Sequence, residues 1–138
     1  METTTQTDTQ ANVELIKKCY NYFKEGNIPA LLNELSDDIK WISPGPKMIP
    51  WAGEYEGKQS VGEFFTKLGG SVDFQSFEPR EFIAQGNRVI ALGHGAATSK
   101  KTGKSAKNEW AMAFIIKNGK VTHFQEYINT WEIVDMLS

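Results

Sequence analysis

Glu126 is the side chain in this sequence best suited to moving a proton. It follows Asn118-Gly119, a pair that marks a type I′ hairpin when it stands between apolar runs. With those two residues at the centre of the turn, Ala111 faces Glu126 and Ala113 faces Phe124. Two alanines on the inner side of a curved sheet leave volume above them. A carboxylate pointing into that volume is desolvated, so its pKa rises toward the range of a general base or acid. The competing reading is a solvated glutamate, or one paired with Arg80 or a lysine. His94, in a strand with Ile90, Leu92 and Ala96, carries an imidazole whose ordinary pKa of about 6.5 suits proton transfer at neutral pH. It also fits a satisfied structural histidine. Glu109 either shares the cavity of Glu126, where adjacent carboxylates push one pKa upward, or is an ordinary strand-end charge.

Around these groups the chain is rich in aromatics. Trp41, Trp51, Tyr55, Trp110, Phe124 and Tyr127 are candidate walls of an apolar ligand site, with Trp51 and Tyr55 serving as cover from a Gly/Pro-rich loop; the alternative, favoured for Trp110 and Tyr127, is core or a dimer interface. The same hairpin register places Trp110 and Tyr127 on the face opposite Glu126. Two other motifs fail. Gly103-Lys104-Ser105 resembles the end of a phosphate-binding loop, but the earlier glycine falls on Thr98, and Gly93-His94-Gly95 lacks the third glycine of a dinucleotide fingerprint. The lone Cys19 and two histidines, His94 and His123, supply neither a disulfide nor the spacing of a zinc site, so no metal or cofactor is expected.

Composition narrows the class further. Fifteen Lys and Arg against seventeen Asp and Glu leave a net charge of −2, without the basic footprint that nucleic acid requires. No apolar run approaches the roughly 18 residues of a membrane span, and the N-terminal stretch lacks the apolar middle of a signal peptide. The expected setting is cytoplasmic, with no nucleic-acid or membrane partner.

The elements that must position the site follow from periodicity. With 138 residues the chain has the size of one ordinary domain. Residues 1–11 are Thr, Gln, Asp and Glu with little to bury, and read as a loose arm before a single domain over 12–138. Val13, Ile16, Tyr20 and Phe23 form the apolar stripe of a first helix that stops at Gly26. A short second helix starts around Pro29 and ends near Ser36, and Asp38 to Ser43 is a strand. Ser60-x-x-Glu63 is a capping box opening a third helix, which carries Val61, Phe64, Phe65 and Leu68 to Gly69-Gly70. Four strand-like runs follow: Phe74 to Ala84, Arg88 to Ser99, Lys107 to Lys117 and Lys120 to Asn129. A closing segment begins at Thr130 as a possible N-cap. Helices first and a meander afterwards predict an α+β fold, with a strongly curved sheet wrapped on a long helix as a cone. Gly93 and Gly95 inside a strand indicate bending or a close backbone approach.

These residues resemble the SnoaL-like branch of the nuclear transport factor 2-like (cystatin-like) superfamily, which includes polyketide cyclases and ketosteroid isomerases. The resemblance covers roughly Val13 to Leu137. It is carried by Phe23-Lys24-Glu25-Gly26-Asn27, by Asp38-Ile39-Lys40-Trp41, by Pro50-Trp51-Ala52-Gly53-Glu54-Tyr55-Glu56-Gly57 and by the hairpin Phe114 to Tyr127. It implies a cone-shaped α+β barrel with a curved antiparallel or mixed sheet, an apolar pocket between sheet and helices, and commonly a homodimer through the outer face of the sheet.

It also implies that the acidic base of SnoaL-like cyclases falls on Glu126. Their histidine on the preceding strand is Met112 here. Related members end this motif Glu-Tyr-x-Asp-Thr, where this chain reads Glu126-Tyr127-Ile128-Asn129-Thr130, so an amide that cannot act as base replaces a carboxylate. Ketosteroid isomerases place a Tyr and an Asp where Cys19 and Ser43 stand. The resulting expectation is a pocket for a small apolar or carbonyl-containing molecule. Its catalytic candidates are Glu126, His94 and Asn129, the last as polar support, and Phe65 and Met112 join the lining. Any reaction is cofactor-free proton transfer of the cyclase or isomerase kind. The alternative is a non-catalytic ligand-binding or dimerisation module.

Overall fold

A computed structural model describes the backbone of residues 2–138 and the side chains of residues 8–138. The elements run α1 (Glu2–Glu25), α2 (Ile28–Asn33), β1 (Leu35–Ser43), β2 (Gly53–Glu56), α3 (Lys58–Ser71), β3 (Val72–Gln85), β4 (Arg88–Ser99), β5 (Ser105–Lys117), β6 (Lys120–Ile128) and α4 (Thr130–Leu137). The strands form one six-stranded sheet in the order β2-β1-β6-β5-β4-β3. All neighbours are antiparallel except β1 and β6, which makes the sheet mixed. The sheet curves without closing, and the helices cover its concave side.

In α1 the predicted stripe is the packed one: Ile16, Cys19 and Tyr20 are buried, and Val13 and Phe23 lie against the core. The helix stops at Gly26, whose φ of 75° reverses the chain so that Asn27 N–H donates to the Tyr22 carbonyl at 2.8 Å. The backbone over residues 2–11, read as a loose arm, continues α1 as helix. Among the described side chains, packing on the core begins at Val13. Extending an existing helix needs no new nucleus, so a polar segment can follow the packed one. Met1, the first residue of that arm, lies outside the described residues.

Two caps differ from the sequence reading. Helix α3 starts at Lys58 with Gly57 as N-cap and no side-chain cap bond, so the Ser60/Glu63 capping box does not form. Val61 N–H already donates to the Gly57 carbonyl at 3.1 Å, which places Ser60 inside the first turn. In α4 the N-cap is Asn129 rather than Thr130, and its side chain accepts from Trp131 N–H at 3.1 Å.

In β4, Val89, Ala91, Gly93, Gly95, Ala97 and Ser99 alternate inward without a break. At Gly93 the close approach is literal. The Trp110 indole and the Glu78 carbonyl occupy the space that a Cβ would need.

The β5–β6 hairpin turns at Asn118 (φ 54°) and Gly119 (φ 75°), the type I′ geometry that the sequence predicts. Near the turn Ile116 pairs with Val121, but beyond it Ile115 pairs with His123, so Thr122 is an extra, bulged residue. Its hydroxyl donates to the Ile115 carbonyl at 3.3 Å. Beyond the bulge the register differs by one from that of a regular hairpin. Glu126 therefore faces Met112 rather than Ala111, and Phe124 faces Phe114 rather than Ala113.

Candidate functional site

Between the concave face of the sheet and helices α1, α3 and α4 lies a cavity of about 120 Å³. Of the residues singled out from the sequence, Trp41, Trp51, Phe65, Met112, Phe124 and Glu126 border it. Trp51 reaches it because the Pro/Gly loop after β1 folds inward, burying Ile49 and Trp51. Tyr55 is buried but does not border the cavity. It braces the cover instead, its hydroxyl donating to the Trp51 carbonyl at 2.9 Å.

The other three expected polar residues lie elsewhere. His94 and Glu109 are cross-strand partners, and with Asn129 they border a separate polar cleft shared with Arg80, Lys107 and Glu132. Strand alternation explains the separation, since Gly93 and Gly95 take the inward positions on either side of His94. Asn129 is used as a helix cap. Glu109 therefore does not share the cavity of Glu126, and Glu126, His94 and Asn129 do not form one constellation.

Trp110 moves the other way. The bulge at Thr122 aligns Trp110, Met112 and Phe114 with Ile128, Glu126 and Phe124, so Trp110 faces inward and is 5% exposed, whereas Tyr127 faces outward and is 55% exposed. Tyr20, Cys19 and Asn108 also border the cavity and were not assigned to it from the sequence. Tyr20 is visible in sequence only as a member of an apolar helix stripe, which says what is buried but not beside what, and Cys19 only as the lone cysteine and the position where ketosteroid isomerases place a Tyr.

Glu126 meets the cavity with few partners. Ser43 Oγ donates to its Oε1 at 3.4 Å, a long bond, and no cation pairs with it among the described ion pairs. Burial is the main influence and pushes its pKa up to about 7, with the Ser43 bond opposing. Arg80, the partner suggested by the solvated reading, borders the outer cleft instead.

Directly across from Glu126, the Met112 thioether accepts the Tyr20 hydroxyl at 3.0 Å. A thioether is a weak acceptor, so that hydroxyl is held without being strongly committed. Burial and then the charge of Glu126 hold the Tyr20 phenol above its ordinary range, so it stays a donor. Burial raises the Cys19 thiol to about 12, which keeps it protonated and unreactive at neutral pH. The arrangement is thus an apolar hollow with one carboxyl group near its midpoint of titration and a neutral phenol on the same side.

One end of this hollow approaches the surface. Pairing of β5 with β6 stops at Trp110 and Ile128, and α4 covers the start of β5, where Asn108 Nδ2 donates to Glu132 Oε1 at 2.7 Å. Asn108, Gly95 and Ala96 border both the inner cavity and the outer cleft.

Comparison with known proteins places this architecture. The family model described as SnoaL-like domain matches residues 16–124. A solved NTF2-like protein from Burkholderia xenovorans LB400 is 32% identical, the match covering 94% of this chain and 98% of that one, with a TM-score of 0.86. TerC, crystallised with polyporic acid, is 26% identical over 92% of this chain and 98% of its own, with a TM-score of 0.82. A protein from Mesorhizobium loti described as a SnoaL-like polyketide cyclase is 19% identical over 83% and 97%, with a TM-score of 0.68, and shares the fold. No curated protein matches the sequence. With the family model spanning most of the chain and the curved six-stranded sheet matching solved NTF2-like structures, the chain belongs to the SnoaL-like domain family.

Proposed function

We propose that this protein binds a small, largely apolar carbonyl compound in the cavity and that Glu126 moves a proton next to that carbonyl without a cofactor, as in cyclase- or isomerase-type chemistry. The observation that carries this reading is Glu126, half-buried and in none of the described ion pairs, at the wall of an aromatic hollow, its pKa raised to about 7. A carboxyl group titrating near the working pH is populated in both states, which general acid–base transfer needs. The Tyr20 hydroxyl, now on a weak sulfur acceptor, is the nearby donor for a developing oxyanion. The likeness to TerC, crystallised with polyporic acid, supports a small organic ligand.

The test is exchange of carbonyl α-protons into deuterated water, followed by NMR over a panel of cyclic ketones and diones. With Glu126 as base, the rate rises with pH through a midpoint near 7, and Glu126→Gln removes that dependence. Binding without exchange assigns the protein to the non-catalytic alternative, which the methionine at position 112 would suit.

We also propose a homodimer through the outer sheet face. Ile90, Leu92, Ala111 and Ala113 keep partial exposure there beside the exposed Tyr127, an apolar area of the kind that marks interfaces. Sedimentation should give twice the chain mass, and Tyr127→Glu should shift it to the monomer. A wild-type monomer at micromolar concentration ends this part of the proposal.

A further inference from the structure

Among the described residues that border the cavity, Phe74 is the one that is exposed, at 39%. It stands on β3, the edge strand, so no further strand shields it. Opposite Ala97, an inward position of β4, it lies on the concave side of the sheet. Elsewhere the hollow is closed. At the α4 end Ile133 and Met136 are buried, and so are Leu31 and Leu35 at the α2 end. The Phe74 ring meets that of Phe23 edge-on at 5.8 Å between centroids, so the cavity opens between the end of α1 and the start of β3.

Glu126 lies far from this opening. Through Met112 it is level with Ala91 on β4, whereas Phe74 is level with Ala97. Six residues of strand separate the two levels, roughly 20 Å at about 3.3 Å per residue before the curvature of the sheet shortens it. One cavity borders both residues, so it is long and, at about 120 Å³, narrow. A row of rings marks its course. Trp41, stacked on Phe124, lies 5.5 Å from Phe65 between centroids, and Phe65 lies 5.8 Å from Phe23, which meets Phe74. The charges flanking the opening are already paired. Lys24 Nζ donates to Glu78 Oε2 at 3.0 Å, and Asp73 pairs with Lys100 at 3.8 Å.

Resting on the ligand-site reading above, we propose that the ligand is an uncharged carbonyl compound with one straight apolar tail. Its carbonyl head lies beside Glu126, and the tail runs past Phe65 and Phe23 to leave the protein at Phe74. The tail is held by burial alone, each methylene inside adding about fourfold to the affinity. A closed hollow of this volume, close to the roughly 150 Å³ that holds benzene, would stop at one ring. An open one sets no upper limit, because methylenes beyond Phe74 stand in water and add nothing.

The experiment titrates the full-length protein with 4-alkylcyclohexanones that carry a methyl, butyl, hexyl or octyl group. Affinity should climb with tail length and then level off without falling. In the octyl complex the terminal methyl protons should show NOEs to the Phe74 ring, whose resonances are assigned through Phe74→Leu. Phe74→Ala should weaken the octyl compound about fourfold, the worth of one buried methylene, and leave the methyl compound within twofold. Phe74→Leu, which keeps apolar bulk at the opening, should restore most of that loss.

Affinity that peaks at a short tail and falls beyond it, NOEs from the tail end to Met136 instead of Phe74, or an equal loss with every compound in Phe74→Ala would overturn the proposal. No binding of any member refutes it together with the ligand-site reading. Glu126-dependent proton exchange from the methyl compound, with no gain from longer tails, refutes this inference alone. Tail-dependent binding without proton exchange refutes the catalytic reading alone.

Discussion

Glu126→Gln should lower the rate of proton transfer by about 10²–10⁴-fold, the usual contribution of one positioned acid or base, and should make the protein more stable at pH 8. The two effects share a cause. Burial raises the folded-state pKa of Glu126 from 4.5 to about 7, so between those values the folded chain binds more protons than the unfolded chain. Stability therefore falls as pH rises through that window. Below pH 4.5 the group is neutral in both states and its penalty is absent. Above pH 7 the penalty is complete, at most roughly 3 kcal/mol from the size of the shift and less where cavity water solvates the carboxylate. Glutamine keeps the shape and an acceptor for Ser43 Oγ while removing the charge. Urea midpoints at pH 5 and pH 8 provide the measurement. The wild type should lose stability between them relative to Glu126→Gln, whereas parallel pH profiles would show that the carboxylate is not held in a costly environment.

Gly93→Ala should be among the most damaging small substitutions in the chain, at about 2–4 kcal/mol. The new methyl group would land on the Glu78 carbonyl and on the benzo edge of Trp110. That carbonyl belongs to the β3–β4 ladder, in which Glu78 pairs with His94 and Pro79 with Gly93, so it cannot retreat without parting the strands. Trp110 cannot retreat freely either, since its ring packs against both Tyr20 and Phe77, which also touch each other. Two other glycines calibrate the effect. At Gly95 the nearest atom is the Ser76 carbonyl at 3.1 Å, so Gly95→Ala should cost about 1 kcal/mol or less. At Gly70, in helix α3, nothing lies within 4 Å, so Gly70→Ala should gain about 0.5–1 kcal/mol from helix propensity. A denaturation midpoint for Gly93→Ala within error of the wild type would refute the close-packing account.

The apolar site draws its walls from all four helices, from every strand except β2 and from the loop before β2, and these were not equally visible in advance. Trp51 stands out in sequence because a Gly/Pro-rich loop with so much apolar area must cover something, whereas Trp41, Trp110 and Phe124 stand out only as large aromatics. Tyr20 does not, since a helix stripe is an ordinary place for an aromatic. Trp110 was assigned to the wrong face for a definite reason. Val121-Thr122-His123 carries no glycine or proline to announce a bulge, and a single extra residue reverses which side chains point inward beyond it.

What the amino-acid order determined by itself was most of the elements and the tight turns; strand β2, inside a stretch read as a Gly/Pro-rich loop, and the helical backbone of residues 2–11 were not among them. Gly26, Asn118-Gly119 and the 3.6-residue stripe of α1 act through backbone preferences a few residues long, and no distant contact is needed to read them. The polar grouping was different. Whether His94, Glu109 and Asn129 meet Glu126 depends on strand facing and on a helix cap, and tertiary structure answered by sending all three to another cleft. The facing of β5 and β6 was decided by which register buries Trp110, Phe114 and Phe124 together. Burial of that area is a property of the assembled sheet and helices, carried by no single segment.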